Sequence, residues 1–171
     1  DEPVGESASA HYPALMLLLG EPRPGLELLD GDSKNKGPGQ VTGAGLQRLR
    51  WLRYEAESYL VHPTALDRFV VKQLGEGGLS QAARDALRRW FEKTFQTGDP
   101  AVFLEDSNPL VKTFLKATKA RGDILPPALE AAGIVNLPYT RYEEIAAVML
   151  PEEIHPEVKE KLDAIQRAFG L

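Results

Sequence analysis

Ser80 stands in Gly78-Leu79-Ser80-Gln81-Ala82, close to the G-x-S-x-G elbow that exposes a catalytic hydroxyl on a strained strand-to-helix turn. The closing glycine is replaced by alanine, no strand pattern comes before it, and a serine at the head of an apolar helical run is a good N-cap. The sequence therefore assigns Ser80 to capping. Of the three histidines, His11, His62 and His155, two stand in His-Pro pairs just ahead of predicted helices. None has a second histidine four residues away or the spacing of a zinc helix, so no metal ligand is assigned. Asp30-Gly31-Asp32 starts like a calcium loop, but Lys34, Asn35 and Val41 stand where that loop needs a ligand, a glycine and a bidentate glutamate. The glycine clusters at 37–45 and 75–78 lack the Gly-Lys-Ser/Thr sequence of a phosphate loop. With 25 acidic residues, accidental carboxylate pairs are expected, and their separation is not legible in one dimension.

Two stretches carry a positive signal. Arg48-Leu49-Arg50-Trp51-Leu52-Arg53-Tyr54 mixes cations with aromatic rings. If it is helical, Leu46, Leu49, Leu52 and Ala56 form the buried stripe and Arg50, Trp51 and Tyr54 flank it. That composition suits a protein-binding hot spot; the plainer alternative makes Trp51 core and pairs the arginines with Glu55 and Glu57. The second stretch is a pair of helices around Gly75-Glu76-Gly77-Gly78, followed by Arg84, Arg88, Arg89 and Lys93, a helix-turn-helix in outline. Asp85 is spaced to pair with Arg89, and Arg88 with Glu92, which would neutralise that face and disfavour nucleic acid.

These residues need a scaffold, and composition says which kind. A chain of 171 residues, 43% hydrophobic and 26% charged, fits one soluble domain with its own core. The net charge of −5 argues against general binding to nucleic acid or anionic lipid. The absence of cysteine excludes disulfides, thiolate metal sites and a cysteine nucleophile. The longest apolar run, Ala14 to Leu19, is too short to span a bilayer, which needs about 20 residues, and reads as a short core helix.

Helical punctuation runs through the rest. The spacing predicts helices over about Gly43–Leu60, Pro63–Leu74 (buried Leu66, Phe69, Val70 and Leu74) and from Ser80 through Phe95 (buried Ala83, Leu87, Trp90, Phe91 and Phe95). Asp99-Pro100 and Asn108-Pro109 each put a capping side chain before a proline at the first helical position. A helix from Pro109 to Arg121 ends at Gly122; Thr140-Arg141-Tyr142-Glu143 reads as a capping box. A last helix, Pro156–Phe169, carries Val158, Leu162, Ile165 and Phe169.

The fold class expected is all-α: one irregular globular bundle over residues 1–171, seven to nine helices, no significant sheet. A flexible N-terminal segment (about 1–10) and a mobile Gly/Pro-rich loop (about 30–45) are expected with it. The function expected is a non-enzymatic protein–protein interaction or assembly domain, with Arg50, Trp51 and Tyr54 as partner-binding residues. No catalytic residue, cofactor or metal is assigned. The partner is another protein, including a second copy; nucleic acid is disfavoured and no membrane span is expected. A cytoplasmic location, or excision from a larger protein, fits this reading. The competing readings are a small hydrolase with a carboxylate or histidine cleft and a helix-turn-helix DNA-binding regulator.

Overall fold

The computed structural model describes residues 8–32, 39–40, 45–105 and 108–171. Parts of the segments expected to be flexible or mobile (1–7, 33–38 and 41–44) lie outside the described residues; 8–10 open the first helix and 39–40 pair in a sheet. The chain begins with helix α1 (Ala8–Leu19) and continues through strands β1 (Gly25–Leu29), β2 (Gly39–Gln40) and β3 (Leu46–Arg50). Order in the sheet is β1-β3-β2, with β1 parallel and β2 antiparallel to β3. The coarse helical class holds, and a small sheet is added to it.

That sheet corrects the helix expected over Gly43–Leu60. Leu46, Leu49 and Leu52 are three apart, which suits a helix, but the backbone is extended because it pairs with β1 in the register Gly25↔Leu46 to Leu29↔Arg50. Glu27 and Arg48 are opposite each other in that register, and their side chains meet at 2.6 Å. Leu46 is buried, whereas Leu52 and Ala56, expected to be inside, are exposed. After β3 the chain runs irregularly to a 3₁₀ turn, Ala56–Leu60. Helix α1 forms but is not a core helix: Leu17 and Leu18 are 84% and 86% exposed.

Helix α2 (Pro63–Leu74) has the expected limits, with Pro63 at its start and Gly75 at its end (φ 75°) donating its N–H to the Val71 carbonyl. Helix α3 (Gly78–Phe95) starts earlier than expected. Gly77 is its cap, and the Ser80 hydroxyl donates to the Gly77 carbonyl at 2.8 Å instead of accepting from the helix. Asp99 caps a 3₁₀ turn, Pro100–Phe103, and Asn108 caps α4 (Pro109–Ala117) by accepting from the Leu110 and Val111 amides. The helix expected to reach Arg121 stops at Ala117, since Thr118 is extended. A single π turn (Ala120–Ile124) follows and runs directly into α5 (Leu125–Ala131), so Gly122 ends nothing. The physical reason is long-range: Glu55 takes the Arg121 amide at 2.5 Å. The capping box at Thr140–Glu143 does not form; a 3₁₀ turn, Tyr139–Arg141, leads into the one-turn α6 (Glu143–Ala146). Backbone bonds such as Tyr142 N–H to Tyr139 carbonyl close that turn without a capping side chain. Helix α7 (Pro156–Phe169) is placed as expected.

The core lies among α2, α3, α4, α5 and α6. Its centre is aromatic: Phe103 meets Phe91 and Phe95 edge-on at 5.4 and 5.1 Å, and Phe114 meets Phe95 at 5.1 Å. Leu66, Phe69, Leu87, Leu115, Ile124 and Ile145 are essentially inaccessible around it.

Candidate functional site

The chain between β3 and α2 is held by backbone bonds before any side chain acts. Trp51 donates its amide to Leu29 and Tyr54 to Leu115, both at 2.9 Å, and Gly31 passes so close to Arg53 that a Cβ there would lie 1.9 Å from the Arg53 carbonyl oxygen. This path turns Arg53 inward. It is 2% exposed, donates to the Ser58 and Phe103 carbonyls at 3.0 and 2.6 Å, and lies 4.8 Å from the centre of the Tyr59 ring. Tyr59 in turn contacts Trp51 at 4.9 Å and His155 at 5.3 Å, ring centre to ring centre.

Tyr59 donates its hydroxyl to Glu157 Oε2. The other oxygen, Oε1, accepts from the Leu52 amide at 2.8 Å and lies 3.7 Å from Lys161 Nζ. His155 caps α7 by accepting the Glu157 amide at Nδ1. A second set fixes the approach to α7: Glu153 receives Arg68, the Thr64 hydroxyl and, at 2.9 Å, the Leu150 amide. His62 Nδ1 lies 3.1 Å from Thr64 Oγ1 and 3.9 Å from Glu153 Oε1, while its Nε2 is buried with no hydrogen-bond partner among the described residues. Together these residues form a buried polar seam that fastens the C-terminal segment to the chain after β3 and to the start of α2.

Tyr59, His62 and Glu153 of the seam are shifted by their surroundings. Burial and then the Glu157 hydrogen bond push the Tyr59 hydroxyl far above its usual range, so it stays a donor. Burial lowers His62, Glu153 opposes that, and Arg68 and Arg53 reinforce it, so the imidazole stays neutral. Burial alone would raise Glu153, but the Arg68, Leu150 and Thr64 bonds outweigh it and pull the carboxyl down to about 2. Sequence reasoning missed all of this. The two His-Pro pairs were its only local trace; placed at helix starts, they suited a surface or capping role, and His155 does cap α7.

The seam has a consequence for α7. Its buried side chains are Glu157 and Lys161. At about 100° per residue, the stripe Val158, Leu162, Ile165 and Phe169 lies roughly a quarter turn away from them. Leu162 and Phe169 are consequently 54% and 48% exposed, and Leu52, beside Glu157, is 56% exposed.

Arg50, Trp51 and Tyr54 lie at the end of β3 and in the loop after it, not along one helix face. All three are half-buried. Trp51 packs on Tyr59, and Arg50 Nε is buried without a hydrogen-bond partner among the described residues. Burial first, then the Asp32 carboxylate to which it hydrogen-bonds, raises the Tyr54 hydroxyl. Among the described residues no pair of these arginines with Glu55 or Glu57, as the alternative required, is found: Arg48 meets Glu27, Arg53 donates to carbonyls, and Glu55 takes the Arg121 amide.

The α3 pairing also differs from expectation. Asp85 meets Arg88 at 3.6 Å and Gln81, Arg84 forks onto Asp67, and no Arg88–Glu92 or Asp85–Arg89 pair forms among the described residues. Asp30 is raised by burial and then by Asp32 and Glu57, and Glu55 by burial and then by Glu57 and Asp30, with the hydrogen bond from the Arg121 amide opposing it. No group of three or more His, Asp or Glu suited to a metal occurs among the described residues, and no described helix is long and apolar enough to cross a membrane. Compared with known protein families, curated sequences and solved structures, the chain matches none.

Proposed function

We propose that this chain is a non-enzymatic protein–protein interaction or assembly domain whose partner seats on the open face of α7. The carrying observation is the rotation of α7: it docks through Glu157 and Lys161 and leaves Leu162 and Phe169 about half exposed. A stripe spaced 4-3-4 (158, 162, 165, 169) is the pattern by which one helix receives another. Exposed contiguous apolar side chains of this kind mark interaction surfaces more often than chance. Leu52 and Trp51 extend the apolar surface from the start of α7, and Arg50 and Tyr54 belong to the polar rim in this reading. The exposed leucines of α1 support the same class, because a helix apolar on all sides ordinarily ends up covered.

The test compares wild type with Leu162→Asp and Phe169→Asp in sedimentation velocity and in affinity capture from the native host with quantitative mass spectrometry. Loss of a self-association or of a specific captured protein in both variants, with unchanged melting temperature, is the expected result. Complexes that survive both substitutions overturn this surface. Arg50→Glu and Trp51→Ala carry the same assay to the loop, where weakened capture with a retained fold is expected.

A further inference from the structure

We propose that the cleft between α2 and α3 binds a small zwitterion with an apolar side chain, a free α-amino acid. The cleft has a volume of about 420 Å³, inside the range of about 300–1,000 Å³ usual for small-ligand sites. Leu87 and Phe91 of α3 lie beneath it, 2% and 1% exposed, and its more accessible apolar residues are Pro63 at the head of α2 and Pro100 on the far side. Two pairs of opposite charges line it, and they differ in what they are already doing.

Arg84 and Asp67 satisfy each other. The guanidinium forks onto the carboxylate, Nε to Oδ1 and Nη2 to Oδ2, each at 2.8 Å, and has little left for a ligand. Arg88 and Glu92 do not pair. They stand one turn apart on the same face of α3, a spacing at which such residues commonly meet, and no contact within 4 Å joins them among the described residues. The Arg88 contact with Asp85 is long, 3.6 Å, and highly exposed on both sides.

The cleft therefore offers one guanidinium and one carboxylate above a hydrophobic floor. A purely anionic ligand would meet Glu92 unfavourably, and a purely cationic one would meet Arg88. A molecule carrying a carboxylate and an ammonium on one carbon matches both, the carboxylate on Arg88 and the ammonium on Glu92. Its side chain then lies between Pro63 and Pro100, where an aliphatic or aromatic group is a better match than a charged one. This site is separate from the face of α7, and either can fail without the other.

The experiment is isothermal titration of the full chain with L-leucine and L-phenylalanine, beside the N-acetyl and the carboxamide form of each. Removal of one charge-assisted contact is expected to weaken binding about tenfold or more. In Arg88→Gln the free amino acid and its carboxamide should bind alike; in Glu92→Gln the free amino acid and its N-acetyl form should bind alike. Both side chains are exposed, so the unliganded melting temperature should stay within about 1–2 °C of wild type. Failure of both amino acids to bind by about 10 mM, or equal affinity of free and capped forms for wild type, overturns the proposal. So does unchanged discrimination in the two variants, and the wild-type comparison stands even if a variant unfolds.

Discussion

Replacing Glu157 by alanine removes the acceptor on which the polar seam converges, and its cost can be worked out from the contacts. The carboxylate, 5% exposed, accepts the Leu52 amide at 2.8 Å and the Tyr59 hydroxyl, and faces Lys161, which is 9% exposed. A hydrogen bond to a charged group contributes about 1.5–3 kcal/mol, and removing one member of a buried ion pair costs about 3–5 kcal/mol because the other charge is stranded. Lys161 keeps the exposed Glu160 carboxylate at 3.7 Å and is only partly stranded, and the remaining terms overlap in a single network, so the expected loss is about 4 kcal/mol, not their sum. Urea unfolding followed by circular dichroism reads it directly. With a slope of about 2 kcal/mol per molar, the midpoint should fall by about 2 M. Glu157→Gln keeps an oxygen for the Leu52 amide and loses the charge, so about half that effect is expected. Lys161→Met should then destabilise wild type more than it destabilises Glu157→Gln. A loss below about 1 kcal/mol for Glu157→Ala, or equal effects of Lys161→Met in both backgrounds, would show that the seam does not hold α7 and would refute the reasoning.

Stability should fall with acid in two stages, followed by unfolding at a series of pH values. His62 is lowered in the fold, so the unfolded chain takes up its proton first, and stability declines as pH drops below about 6.5; His62→Gln should remove that stage. Glu153 is also lowered, to about 2, so its contribution of about 3 kcal/mol is complete above pH 4.5 and is lost as pH falls towards 2. Gly31→Ala should cost about 1–3 kcal/mol by calorimetry, since its Cβ would collide with the Arg53 carbonyl. Phe103→Ala, at the centre of the aromatic cluster, should cost about 3–5 kcal/mol in the same assay. Gln96→Gly should stabilise by up to about 1 kcal/mol, because Gln96 ends α3 with φ 57°.

Some of the site was visible as composition without position. Trp51, Arg50 and Tyr54 were picked out by residue type, and the structure packs Trp51 on Tyr59, but it puts the three on a strand end and a loop. The leucine spacing at 46, 49 and 52 satisfied a helix as well as any pattern could. The competing strand depended on β1, some 20 residues earlier, which no local window includes. Arg88 and Glu92 had the spacing of an ion pair, but Arg88 turns towards Asp85 instead.

By itself the sequence determined the helices whose ends and faces are local matters. Pro63 to Gly75 and Pro156 to Gly170 carry both stop and start signals, and Asp99 and Asn108 cap the turns that follow them because a side-chain oxygen reaches an amide two or three residues on. The aromatic face of α3 was equally legible, since 3.6-residue spacing and burial coincide there. Only the tertiary structure decided which face of α7 is inside. Its apolar stripe pointed to Val158, Leu162, Ile165 and Phe169, yet Glu157 and Lys161 are buried, because Tyr59 and the Leu52 amide, about a hundred positions away in the chain, supply the partners that make a buried carboxylate affordable. Periodicity ranks the faces of a helix by their transfer from water; it contains nothing about hydrogen-bond partners delivered from elsewhere, and those turned α7 a quarter turn and left its leucine in solvent.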